Sequence, residues 1–350
     1  MTPSPSPSPS PSPSPATALP DLLVALDGKP VTQRSQWDAR RREIHRLSVP
    51  LAYGDWPAVP TRTSCEILHT ATVRRLESAR LWTCRVLADG AHSFTLRVFA
   101  PAGDGPHAVV LNGDACWHHA TDDVIADILH RGYAFAQFNR VEIAPDMPGT
   151  RLPVGALAAW AWGYHRAVDA LGQLDLVDPT RIAVVGHSRG GKAALLAGAT
   201  DERIALTSAN NSGAGGAGCL RVSGPGAETL ADVTRAFPHW FGPHLAAYAG
   251  REHALPFDQH FLKALVAPRA LLTTEALDDH WANPSGSWHT HQAARAVYEL
   301  LGAGERIAIT FRPGGHDHAP TDWTTLLDYC DVALRGHGAQ VFSKRYRQSP

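Results

Sequence analysis

Ser188 stands at the centre of Gly186-His187-Ser188-Arg189-Gly190, directly after the apolar run at 182–185 (IAVV) and before Gly191-Lys192 and an Ala- and Leu-rich stretch. That spacing suits nucleophilic catalysis. A serine lifted out of a sharp strand-to-helix turn occupies a strained backbone position, so the residues two before and two after it must be small. The helix that starts beneath it directs free N–H groups at any anion forming there. The competing reading makes the two glycines turn residues and Ser188 a helix cap. The strand-turn-helix context favours the nucleophile.

A serine nucleophile needs a base, and the base needs an acid to orient it. With this kind of turn the chain order is Ser, acid, His, on loops after later strands. The apolar run at 270–274 leads into Glu275-Ala276-Leu277-Asp278-Asp279-His280-Trp281. The run at 307–311 leads into Arg312-Pro313-Gly314-Gly315-His316-Asp317-His318. His316, freed by two preceding glycines, is the expected general base, with His318 as its rival. Asp279 is the expected acid, with Asp278 second; otherwise both are solvated loop carboxylates. The 19 histidines also include the pairs His118-His119 and His289/His291. Imidazoles bind zinc, but these pairs lack an acidic third ligand on the same element. No metal and no cofactor are expected.

The elements that must position these residues read as an α/β chain. Residues 81–87 and 93–99 flank a polar turn and suggest an antiparallel hairpin. Short apolar runs follow at 107–111, 133–138, 182–185, 204–208, 270–274 and 307–311. Helical patterns lie at 36–46, 122–131, 155–171, 192–199, 291–301 and 321–334. Alternation of this kind predicts a mostly parallel sheet covered on both faces, a three-layer α/β-hydrolase fold. Both candidate loops then fall at strand ends where open α/β sheets bind ligands.

Composition narrows the rest. The 350 residues carry a formal net charge of -1, which gives no electrostatic case for nucleic acid or an anionic membrane as partner. No apolar run reaches the length of a membrane-spanning helix. Residues 3–15 are a strict Pro-Ser alternation, with no apolar surface to bury. The expected organisation is a disordered tail at 1–18, one catalytic domain at 19–340 and a C-terminal tail at 341–350. No charged n-region or apolar h-region follows Met1. The sequence as given is therefore expected to act inside the cell, or outside it if the true start lies upstream. Five widely spaced cysteines without a CxxC argue against a zinc ribbon or a disulfide scaffold. Only four lysines occur, so Lys192 beside the nucleophile stands out.

The segment from Gly186 to Lys192 resembles the G-C-S-R-x-G-K motif of the glucuronoyl esterases, carbohydrate esterase family 15. The similarity extends to Gly155–Gly163 (GALAAWAWG), Asn211–Gly216 (NSGAGG), Phe237–Phe241 (FPHWF), Leu255–His260 (LPFDQH), Trp281–Pro284 (WANP) and Gly314–Asp317 (GGHD). These motifs come in the same order over roughly residues 19–335, and they fit the bacterial branch best. The resemblance implies a serine carboxylic ester hydrolase acting on esters of (4-O-methyl-)glucuronic acid, as in lignin–glucuronoxylan linkages. It implies Ser188 and His316 as nucleophile and base and Arg189 as an oxyanion donor. Lys192 and Trp281 fall at positions that contact glucuronate hydroxyls, and Glu228 at a looser polar sugar contact.

Two departures from the family pattern matter. Fungal members have Gln-Glu-Ser-Gly at the glycine loop and use that glutamate as the triad acid; here the position is Asn211, which cannot ionise. Some bacterial members place an aspartate after the seventh strand instead, where Asp279 fits. His187 stands where many members have a disulfide-bonded cysteine, so that bridge is not expected. The expected partner is a small-molecule or oligosaccharide ester, bound by a monomer. The alternatives on the same fold are another carbohydrate-active esterase, such as an acetylxylan esterase, and an inactive carbohydrate-binding scaffold.

Overall fold

Among the described residues, nine strands form one sheet in the order β1-β2-β3-β5-β4-β6-β7-β8-β9. The strands are β1 (Thr63–Val73), β2 (Ala79–Ala88), β3 (His92–Ala100), β4 (His107–Asn112), β5 (Ala134–Phe138), β6 (Val177–His187), β7 (Leu206–Asn210), β8 (Ala270–Ala276) and β9 (Ile307–Arg312). The first three run antiparallel, and β3 joins β5 antiparallel. From β5 onward every pairing is parallel. The structure is a computed structural model that describes residues 17–346 and Ser349, except 91, 104, 117–119 and 148–153. The Pro-Ser stretch and the His118-His119 pair lie outside the described residues.

Alternating side chains build two cores. Val109 and Leu111 of β4, with Ile182 and Val184 of β6, face α1 (Trp37–Tyr53), α3 (Ala156–Leu171), α4 (Arg189–Thr200), α6 (His260–Val266) and α7 (Pro284–Leu300). Their neighbours Val110, Ala183 and Val185 face α2 (Asp122–His130) and α8 (Pro320–Arg335). Burial of both faces explains why these strands read as unbroken apolar runs rather than alternating ones. The other α-helices among the described residues are α5 (Leu230–Ala236) and α9 (Ala339–Arg345).

The sequence reading missed β1, an edge strand whose Ile67 and Leu68 are half exposed, so it carries no apolar face to detect. It also placed the domain boundary at residue 340, inside α9. Phe342 is buried there, with its ring 5.0 Å from that of Tyr329, which extends the packed chain beyond that boundary.

Among the described residues three buried histidines sit on α-helices: His165 on α3, His260 on α6 and His291 on α7. Burial pulls their pKa values down, to about 4 for His165 and His260 and to about 3 for His291. Each is neutral in the fold but protonated in the unfolded chain below about pH 6.5. The unfolded state then binds more protons, so stability falls as pH drops from 6.5 toward 4. Burial pushes Glu275 and Asp322 up, which has the opposite sign over this window, but the three imidazoles outnumber them. The net loss is on the order of 1–3 kcal/mol per pH unit. A calorimetric series should show the thermal midpoint falling between pH 6.5 and 4.5. A constant or rising midpoint would mean these imidazoles are not the neutral groups their burial requires.

Candidate active site

The nucleophile turn is built from β6 running straight into α4. Ser188 has φ 56° and ψ -123°, in the left-handed region that side-chain-bearing residues adopt only under constraint. A Cβ on Gly186 would run into the Gly190 carbonyl, and one on Gly190 into the Asp114 carboxylate. Both glycines are therefore steric requirements of the turn. The Ser188 N–H donates to the Asn210 carbonyl at 2.9 Å, and the His187 N–H donates to Asp114 Oδ2 at 2.8 Å. Arg140, itself buried, pairs with the same Asp114 carboxylate. The serine thus rests on a fixed backbone.

Two later strands deliver its partners. The Ser188 hydroxyl lies 2.9 Å from His316 Nε2, placed by the loop after β9. His316 Nδ1 lies 2.5 Å from Asp279 Oδ2, on the loop after β8. Asp279 is only 4% exposed. Asp278 instead accepts from the Gly314 N–H at 2.8 Å and so braces the loop that carries His316. His318 stacks between His187 (centroids 5.6 Å) and Trp323 (4.3 Å), and the His187 ring also lies 4.7 Å from that of His316. Asn211 Oδ1 accepts from the Ala276 N–H at 2.7 Å, and its Nδ2 donates to the Asp317 carbonyl at 3.1 Å. The amide therefore ties the ends of β7 and β8 to the histidine loop.

Ser188 opens onto a cavity of about 240 Å³ that Arg189, Lys192, Glu228, Trp240 and Trp281 also line. Lys192 Nζ meets Glu228 Oε2 at 3.0 Å, and both side chains are about 95% buried. The Glu228 N–H donates to the Trp281 carbonyl at 3.0 Å, while the Trp281 side chain remains half exposed at the mouth. Arg189 Nη1 meets Asp146 Oδ2 at 2.7 Å, and its guanidinium lies 4.9 Å over the Trp240 ring. The structure thus brings together Ser188, His316, Asp279, Arg189, Lys192, Glu228 and Trp281. It adds Asp146 and Trp240, to which sequence reasoning gave no role. Asp146 follows β5 without any motif, so no local signal could have found it. Among the described residues no group of three His, Cys, Asp or Glu side chains could hold a metal ion. No helix in the same set is long and apolar enough to cross a membrane.

A mostly parallel sheet in which β6 ends in a strained serine, with a histidine and a buried aspartate on the loops after β9 and β8, defines a serine hydrolase of the α/β-hydrolase fold. A family profile described as "Glucuronyl esterase, fungi" matches residues 86–302. A 4-O-methyl-glucuronoyl methylesterase of Podospora anserina is 33% identical over 87% of this chain, which spans 64% of that relative's length. A prokaryotic carbohydrate esterase of unknown organism is 30% identical over 91% of this chain and 90% of its own. Among solved structures, a promiscuous esterase of carbohydrate esterase family 15 from a marine bacterial metagenome superposes with a TM-score of 0.81 at 30% identity. It covers 90% of this chain and 97% of that one. The chain belongs to the glucuronoyl esterases, carbohydrate esterase family 15. A further neighbour from Sporotrichum thermophile, 28% identical with a TM-score of 0.76, was solved as a serine-to-alanine mutant in complex with methyl 4-O-methyl-β-D-glucopyranuronate. That match covers 92% of this chain and 89% of the neighbour.

Proposed function

We propose that this chain hydrolyses esters of glucuronic acid, with or without a 4-O-methyl group, through an acyl-enzyme on Ser188. The observation that carries this reading is that Ser188 and the buried Lys192–Glu228 pair open onto one cavity. A sugar acid held by its hydroxyls on that pair and against Trp281 would present its ester carbonyl to the serine. The methylesterase relative from Podospora anserina and the complexed Sporotrichum neighbour support the same substrate class.

In the proposed reaction Ser188 Oγ attacks the ester carbonyl while His316 Nε2 takes its proton. Asp279 holds the His316 Nδ1–H and stabilises the imidazolium that forms. Arg189 and backbone N–H groups at the start of α4 stabilise the tetrahedral oxyanion, charge-assisted donors being the strong ones. The alcohol leaves with the proton from His316. Water, deprotonated by the same imidazole, then releases the free acid and restores Ser188. The partner is a small or oligosaccharide ester.

Comparing kcat/KM for methyl glucuronate with that for acetylated xylo-oligosaccharides tests the reading. The glucuronate ester should be favoured by about 10²-fold or more, because an acetyl group offers no hydroxyls to the Lys192–Glu228 pair. Faster release of acetate would put the sugar on the alcohol side of the bond and overturn the assignment. Absence of turnover on both, with no labelling of Ser188 by a fluorophosphonate, would favour the binding scaffold.

A further inference from the structure

The two cationic side chains lining the cavity are each matched by a carboxylate. Lys192 meets Glu228 at 3.0 Å, and Arg189 meets Asp146 at 2.7 Å. Asp146 does more than balance charge. Its other oxygen accepts from Trp240 Nε1 at 2.8 Å and faces His239 Nε2 at 3.0 Å. Burial works against its ionisation, but donation from Trp240, Arg189 and His239 outweighs that and holds its carboxyl below the usual range. It is therefore an anion at neutral pH.

The charge state of the two ligands makes this pairing matter. An ester of glucuronic acid is neutral, whereas the acid left by hydrolysis is an anion at neutral pH. A bare guanidinium beside Ser188 would hold that product more tightly than the substrate, because it attracts a full charge in one case and only a dipole in the other. With Asp146 already on the guanidinium, the product carboxylate meets a pair with no net charge.

We propose that Asp146, by pairing with Arg189, determines the site's preference for the neutral ester over the anionic acid, so that the product leaves. The proposal rests on the reading of this cavity as a glucuronoyl ester site. Asp146 touches the arginine rather than the substrate, so its effect is on ligand charge and not on the sugar.

The test uses the full chain in a Ser188→Ala background, with and without Asp146→Asn, titrated calorimetrically with glucuronate and with methyl glucuronate at pH 7. Asparagine keeps an acceptor for Trp240 and His239 while removing the charge. Glucuronate should bind about tenfold more tightly after the substitution, and the methyl ester should change by less than about twofold. Asp146→Glu, which keeps the charge, should restore the original ratio. Equal changes for both ligands, or no tightening of glucuronate, would overturn the proposal. A second measurement needs no Asp146 variant: product inhibition of the unsubstituted enzyme by glucuronate should have a Ki well above the KM of the methyl ester, and a Ki below it would equally overturn the idea. If neither ligand binds the Ser188→Ala protein, the reading of the cavity itself fails, and this inference with it.

Discussion

Asp279→Asn is expected to lower the rate of methyl glucuronate hydrolysis by about 10³–10⁴-fold with little change in thermal midpoint. The carboxylate is 4% exposed and lies 2.5 Å from His316 Nδ1. In the proposed mechanism it fixes the tautomer in which Nδ1 carries the proton and Nε2 is free to accept from Ser188. An amide in its place can offer a donor instead, which reverses the tautomer and leaves Nε2 protonated against the serine. The other family position for the acid is filled by Asn211, whose amide already joins the Ala276 N–H to the Asp317 carbonyl. It has no charge with which to compensate. Asp278→Asn should cost far less, because the contact of Asp278 is to the Gly314 N–H and an amide oxygen can still accept there. A near-wild-type rate for Asp279→Asn, or equal losses at 278 and 279, would remove Asp279 from the role.

Ser188→Ala is expected to cost about 10⁵–10⁶-fold in kcat. The alanine keeps the backbone N–H to Asn210 at 2.9 Å, and it bears the same positive-φ strain as the serine it replaces. Folding should therefore survive while hydrolysis does not. A fluorophosphonate should label the native chain on Ser188 and fail to label this variant. Retained turnover with retained labelling would locate the nucleophile elsewhere.

The parts of the fold that could be read from sequence are those with local signatures. The run IAVV at 182–185, buried on both faces, and the glycines required by the Ser188 turn announce themselves in a few residues. So do the two loops carrying Asp279 and His316, because each follows an apolar strand. The start of α7 was hidden, since Pro284-Ser285-Gly286 reads as a turn. In the fold Asn283, at φ 58°, caps that helix through the Gly286 N–H, and Pro284 takes its first turn. α6 escaped because it is buried all round and shows no amphipathic period. The paired charges of the site were least legible of all. Lys192 and Glu228 are 36 positions apart, and Arg189 and Asp146 are 43 apart. Nothing in either neighbourhood names the partner. Family resemblance supplied the residues proposed to face the sugar but not Asp146, which pairs with Arg189, Trp240 and His239.

The most direct measurement is a crystal structure of the Ser188→Ala protein soaked with methyl glucuronate. The sugar ring is expected in the cavity beside Ser188, with its hydroxyls on Lys192 and Glu228, its face toward Trp281, and its ester carbonyl between residue 188 and Arg189. A ring bound with the carbonyl turned away from residue 188, or an empty cavity at saturating ligand, would contradict the assignment of this chain as an esterase acting on the carboxyl group of glucuronic acid.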